Sequence, residues 1–464
     1  MSSIILGPTF EEMLHPDTVA PDIRTRAREM KTRDPLDPIN LFNIAWRNAD
    51  GQLYAFRLPK QLTGVEANIV ALYGKEFPTG SHKVGAAYSV LVEKELSGEV
   101  DPSRHTVVWP STGNYGIGGA WVGCRMGFDS VVVLPAGMSA ERFQCIESYG
   151  ARVIKTAGSE SNVKEIYDKT HELARNPDVR ILNQFSEMGN YRFHYHVTGN
   201  TIAELARELN GQGVGRRGVS AYCSAMGSAG TIAAGDRLKQ VWPACRIVGL
   251  EPVQCPTLFN NGYGAHDIQG IGDKHVTWIH HVTNMDAIIC VDDIECKKGL
   301  QLLTEENGME VMSRRFGVPQ ADVETLSQIF GISGVCNVLG AIKTAKHYRM
   351  GKDDLIVTIL TDAIDRYHSV MADLSRTHGP MDEAEATARL VSIFHNQKTD
   401  WIKEGTEDTR RQWHNLKYYT WCEQQGKTVE ELDAQLSEDW WLAHQAAVSL
   451  IDAQIAAARG QQAQ

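Results

Sequence analysis

The chain is short of several features that would settle its class at once. Its nine cysteines, Cys124, Cys145, Cys223, Cys245, Cys255, Cys290, Cys296, Cys336 and Cys422, are scattered and never form C-x-x-C. That excludes a disulfide framework and a cysteine-rich zinc module. Most of them fall in apolar runs and are expected to be buried thiols. No long uncharged apolar run is present, and the mean hydropathy is −0.28, which excludes a membrane-spanning helix. Basic residues are not in excess. With 46 Lys and Arg against 57 Asp and Glu, the net charge is −11. This argues against nucleic acid as the main partner but not against one local anion site. The histidine pairs His194/His196 and His280/His281 fit no compact zinc spacing, so no metal site is expected. The N-terminus has no basic region followed by an apolar run, so a reducing cytoplasm is the expected setting.

What is present is material for a large core. The 464 residues are 42% hydrophobic, enough for about two or three domains. From about residue 65 to 375 short β-branched runs alternate with helical patterns: HTVVW (105–109), SVVVLP (130–135), ARVIK (151–155), VRIL (179–182), CRIVGLEP (245–252) and LIVTIL (355–360). Their uniform apolarity predicts buried parallel strands joined by right-handed crossovers. A helix is expected over 139–149, with Ser139 as N-cap and Gly150 as stop. Beyond about 376 no strand-like run remains. Five of the ten tryptophans, Trp401, Trp413, Trp421, Trp440 and Trp441, lie there, and the segment reads as a helical extension with these rings mainly in its packing.

Four short segments follow strand-like runs or Gly-rich turns, where ligands bind in open α/β sheets. PTGSHK places Lys83 at the start of the helix VGAAYSVLVEKEL, and a sheltered lysine can form a Schiff base. PSTGNYGIGG surrounds Asn114 with small residues whose backbone N–H groups suit a carboxylate or phosphate. MGSAGT (226–231) precedes another helix and can wrap an anion with Gly227, Gly230, Ser228 and Thr231. It lacks both the G-x-G-x-x-G spacing and a G-K-[ST] ending, which weakens the dinucleotide and nucleoside triphosphate readings. LTDAIDRYHS ends a strand-like run, and Thr361 and Asp362 there can meet a ring nitrogen or serve as a helix N-cap.

In this order the segments resemble the cysteine synthase (O-acetylserine sulfhydrylase) and cystathionine β-synthase family of fold-type II pyridoxal phosphate enzymes. NQFSEMGN (183–190), VGLEP (248–252), IQGIGD (268–273) and FGISG (330–334) match further ordered landmarks. The resemblance covers about residues 60–375. It implies a two-lobed α/β fold of the tryptophan synthase β kind with parallel sheets. Residues 1–102 and 198–375 would form the larger lobe, 103–197 a smaller inserted lobe, and 376–464 the helical extension. It implies pyridoxal 5'-phosphate as cofactor, an amino acid as substrate and a homodimer. Lys83 would hold the cofactor as a Schiff base and move the substrate Cα proton. Asn114 would contact the ring hydroxyl, while Ser111, Thr112, the Tyr115 backbone and Gln184 would grip the substrate carboxylate. Gly227, Ser228, Ala229, Gly230 and Thr231 would cradle the phosphate, with Thr361 or Asp362 at the ring nitrogen.

The reaction implied is β-elimination or β-replacement through an aminoacrylate. The alternatives are γ-carbon chemistry like that of threonine synthase and a catalytically silent cofactor-binding protein. Two departures from the family pattern stand out. Tyr115 replaces a threonine, and its phenol is expected to reshape the pocket above the cofactor. Ala363 falls where a serine usually meets the ring nitrogen. Arg192 and His194, after the Gln184 segment, are either contacts for an anionic side chain or solvent-facing loop residues.

Overall fold

The computed structural model describes residues 6–111, 113–158 and 163–462. The chain starts one sheet with Ala55–Arg57 (β1) and Asn68–Tyr73 (β2), then leaves it through the helix Lys83–Leu96 (α1). It next builds a second sheet from Thr106–Pro110 (β3), Asp129–Pro135 (β4), Arg152–Thr156 (β5) and Val179–Ile181 (β6). These four strands are all parallel, in the order β5-β4-β3-β6. Between them lie the helices Asn114–Arg125 (α2) and Ala140–Ser148 (α3).

The chain then returns to the first sheet with Ala221–Ala225 (β7), Arg246–Pro252 (β8), Ala287–Val291 (β9), Leu355–Leu360 (β10) and Ile402–Glu404 (β11). The completed order is β1-β2-β10-β7-β8-β9-β11. The inner strands are parallel, and β1 and β11 close the two edges antiparallel. Successive residues of the inner strands feed two different cores. Val70, Leu72, Val357 and Ile359 pack on one face, and Ile69, Ala71, Ile356 and Leu360 on the other. Burial on both faces accounts for the lack of polar alternation in these runs. The architecture is the α/β fold with mostly parallel sheets expected of fold type II.

The structure departs from the sequence reading in several places. β1, β2 and β9 lie where no strand is expected. β5 and β6 are half-buried to exposed edges, not buried strands. β11 falls inside the segment read as free of strands and pairs with β9 through Ile402 opposite Ile289. Ser139 stands at the N-cap of α3, but its hydroxyl makes no capping hydrogen bond.

The tail is packed into the body. Trp413, Trp421 and Trp441 are buried, while Trp401 is 38% exposed. The indole N–H groups of Trp413 and Trp421 donate to the carbonyls of Leu258 (3.0 Å) and Val276 (2.8 Å). Among the described residues no helix is long and apolar enough to cross a membrane.

Candidate active site

The site forms where α1 and α2 meet below the ends of β7 and β10. Gly118 on α2 lets the two helices touch backbone to backbone. A Cβ there would lie 2.9 Å from the Cα of Val84. This close approach places Lys83, the first residue of α1, beside Asn114, the first residue of α2. Lys83 is buried, and its Nζ donates to Ser228 Oγ at 3.1 Å.

A narrow cavity brings together Lys83, Ser111, Asn114, Tyr115, Gln184, Gly227 and Ser228. Phe185, Gly270 and Asp273 complete the wall. Ser111 Oγ accepts from the N–H groups of Gly113 (2.9 Å) and Gly116 (2.8 Å), so it fixes the turn that opens α2. Thr112 lies outside the described residues. The Tyr115 phenol turns away from the cavity and donates to the Leu182 carbonyl at 3.2 Å, with its ring edge-on to Trp109. It therefore fills the core behind the loop, contrary to the expectation that it stands above the cofactor. The turn of α2 decides this, because residue 115 follows the loop by one helical step.

The segment 227–231 leaves the end of β7 as a tight turn. Ala229 adopts φ = +60°, a left-handed conformation that glycine takes without cost. Such strain persists where the surroundings require it, and successive N–H groups in this geometry form an anion nest. Gly230 is required for space, since a Cβ there would come within 2.1 Å of Asn190 Oδ1. Asn190 ties the turn down, donating to Ser228 Oγ (3.0 Å) and to the Gln184 carbonyl (2.9 Å). Thr231 Oγ1 accepts from Ser224 Oγ at 2.9 Å, so it anchors the turn to β7.

Asp362 follows β10 and is fully buried. Its Oδ2 accepts from Asn114 Nδ2 and from the Tyr367 hydroxyl, each at 2.7 Å. Arg142, also fully buried, donates to the same hydroxyl at 3.1 Å and lies 3.9 Å from the carboxylate. Burial pushes the Asp362 carboxyl above its ordinary range, against the pull of Arg142, Asn114 and Tyr367. Thr361 takes no part in this network. Its carbonyl faces Gly74.

Arg192 and His194 belong to neither expected setting. Arg192 pairs with Glu93 in a groove beside the tail. His194 is fully buried, bonded to Thr198 Oγ1 and edge-on to His82. The pyridoxal-phosphate dependent enzyme family matches residues 56–313, more than half of the chain.

This chain belongs to that family.

A probable cysteine synthase of Bacillus subtilis is 30% identical over 294 residues, 63% of this chain and 85% of that protein. A cysteine synthase of Staphylococcus aureus is 30% identical over 309 residues, 66% and 90% of the two chains. Among solved structures, O-acetyl serine sulfhydrylase isoform 3 of Entamoeba histolytica superposes with a TM-score of 0.58 at 25% identity, covering 73% of this chain and 92% of its own. A hydrogen sulfide-producing enzyme of Fusobacterium nucleatum, solved with an alpha-aminoacrylate intermediate, gives 0.59 at 25% identity, covering 75% and 93%.

The residues present fit pyridoxal 5'-phosphate. Lys83 would supply the amine, and the turn with Ala229 at positive φ would offer backbone N–H groups to the phosphate. Among the described residues Asn114 Oδ1 and Asp362 Oδ1 are buried without a hydrogen-bond partner, which a polar ring beside them would supply. Reading the sequence alone misses Arg142, Asn190, Asp273 and Tyr367. The last three lie within or at the end of segments that already stood out, whereas Arg142 has no local signal at all.

Proposed function

We propose that the chain is a pyridoxal phosphate-dependent lyase or synthase that acts at Cβ of an amino acid by elimination or replacement. The observation that carries this is the buried Lys83 sharing one cavity with Asn114, Gln184 and the 227–231 turn. The cofactor, when bound, supplies an electron sink for bonds at the substrate Cα. The turn from Gly227 to Thr231 holds the phosphate, with its N–H groups and the Ser228 hydroxyl facing the anion. Asn114 holds the ring hydroxyl, and Asp362 faces the pyridine nitrogen, in preference to Thr361. Gln184 and the N–H groups of the 111–115 loop bind the substrate carboxylate and turn the Cα–H toward Lys83. Lys83 Nζ tethers the cofactor at rest and moves the Cα proton during the reaction.

The cysteine synthase relatives support chemistry at Cβ over the γ-carbon reading and over a silent binding protein. A cytoplasmic homodimer belongs to the same reading. The test is the near-ultraviolet and visible absorbance of the purified protein and of Lys83→Ala while amino acids are titrated in. A band in the wild type that is lost or shifted in Lys83→Ala, and that responds to one class of amino acid, is the expected result. A wild type that takes up no pyridoxal phosphate would refute it.

A further inference from the structure

Asp273 ends the turn 268–273, which carries Gly270 at φ = +100° and Gly272 at φ = +81°. The turn is fixed from both sides. Gly272 N–H donates to the Met226 carbonyl at 2.8 Å, and the Asp273 carbonyl accepts from Thr257 Oγ1 at 2.7 Å. Its side chain reaches the same cavity as Lys83, Gln184 and Phe185. Its Oδ2 lies 3.8 Å from where a Cβ on Gly227 would stand. The residue is 7% exposed, and among the described residues lining this cavity it is the one carboxyl. Burial pushes that carboxyl up to about 7, although Lys83 pulls it down, so it can hold a proton near neutrality.

Lys83 is occupied with the proton at Cα. The substituent on Cβ is a different atom and sets a different demand. Acetate and phosphate leave as stable anions without a proton. A hydroxyl, a thiol or an amine departs far more readily when it receives one. We infer that Asp273 is a second catalytic residue that protonates the departing Cβ substituent, and that the substrates are amino acids bearing a hydroxyl, thiol or amine at Cβ. The Cβ–X bond breaks with its electron pair going to X, the carboxyl proton of Asp273 goes to X, and HX departs. The carboxylate regains a proton from water in elimination, or from the incoming nucleophile H–Y in replacement.

This inference rests on the reading of the site as a pyridoxal phosphate enzyme acting at Cβ. The experiment uses the cofactor-loaded wild type, Asp273→Asn and Asp273→Glu. Turnover is compared for L-serine, L-cysteine and L-2,3-diaminopropionate against O-acetyl-L-serine and O-phospho-L-serine. Asp273→Asn is expected to lower turnover of the first group by about 100-fold more than that of the second, and Asp273→Glu to recover part of the difference. A readout independent of turnover is the infrared band of a protonated carboxyl in the loaded enzyme, compared on either side of neutral pH. Other buried carboxyls, Glu95 and Asp362 among them, contribute to this band, so the expected result is a wild-type component that is missing from Asp273→Asn. Equal losses for both substrate groups, or an infrared spectrum unchanged by Asp273→Asn, overturn the assignment of Asp273. A wild type whose cofactor absorbance responds to no amino acid overturns the parent reading as well.

Discussion

Asn114 Nδ2 donates to Asp362 Oδ2 at 2.7 Å, joining the first residue of α2 to the chain just past the end of β10. One residue comes from the four-stranded sheet's connections and the other from the seven-stranded sheet. The bond therefore ties the asparagine loop to the larger sheet at the cavity. Arg142 and Tyr367 extend the same link, so the loop, α3 and the strand end are held by one buried polar cluster.

Among the described residues Arg142 is the fully buried cation paired with the Asp362 carboxylate. Removing one partner of a buried ion pair leaves the other uncompensated in low dielectric. Arg142→Met is therefore expected to destabilise the chain by about 3 kcal/mol in urea unfolding. Asp362 then takes up a proton more readily, so the deficit shrinks as pH falls. Asp362→Asn in the Arg142→Met background is expected to recover part of the loss. A loss that does not change with pH would show that Arg142 acts by packing alone.

Ala229 holds a left-handed backbone at φ = +60° in the turn assigned to the phosphate. An L-residue with a Cβ is strained there by about 1 kcal/mol relative to glycine. Glycine recovers the strain but widens the unfolded ensemble, a smaller opposing effect. Ala229→Gly is expected to raise the thermal midpoint slightly while leaving pyridoxal phosphate affinity within about twofold. Gly230→Ala acts the other way. Its methyl would meet Asn190 at 2.1 Å and push that side chain off Ser228. Cofactor titration is expected to show affinity reduced by about tenfold or more, from the loss of one buried hydrogen bond and its geometry.

These two residues show what could be read from the sequence. MGSAGT stood out because small residues follow an apolar run, and the structure does place a tight turn there. The left-handed angle at Ala229 has no sequence signature, because alanine is not the residue that conformation selects. Strands β3, β4 and β10 were legible as unbroken β-branched runs. β2 (NIVALY) and β9 (AIICV) are equally apolar, but short apolar runs do not separate strand from buried helix by periodicity. β11 is only Ile402–Glu404, half-buried to exposed, and is a strand because it covers the open edge of β9. At the site, Lys83 and Asn114 follow from their loops, whereas the direction of Tyr115 depends on the rotation of α2. Arg142 reaches Asp362 only through the packing of α3, which no local pattern encodes.

Glu95 lies near the end of α1, 7% exposed, and neither carboxylate oxygen has a hydrogen-bond partner among the described residues. Burial, with Asp101 adding to it, pushes its carboxyl up to about 8. The folded chain then binds a proton that the unfolded chain has already lost, between its ordinary value near 4.5 and 8. Stability associated with this group is present at low pH and is lost as pH rises through 8. Glu95→Leu is expected to raise unfolding stability by about 2 kcal/mol above that pH, and by little at acid pH. Chemical denaturation across the range checks this. An advantage for Glu95→Leu that is the same at all pH values would mean that the carboxyl is not titrating.

The packing of the tail into the body gives it a structural role in the chain itself. Residues 401–464 contribute the edge strand β11, three buried tryptophans and the buried Lys417, whose Nζ donates to the carbonyls of Trp278 (3.0 Å) and His280 (2.7 Å). Deleting them would expose the edge of β9 and strip cover from Phe185 and Trp278, which pack with Trp421. Phe185 also lines the cavity around Lys83, so damage there reaches the proposed site. Truncation before residue 401 is therefore expected to reduce soluble yield and cofactor absorbance together. A milder variant separates the two effects. Trp421→Ala removes a large buried ring and its hydrogen bond to Val276, and is expected to cost about 3–5 kcal/mol in urea unfolding. If Trp421→Ala unfolds as the wild type does, the tail is a detachable addition, and only the oligomeric state of the truncated protein should change.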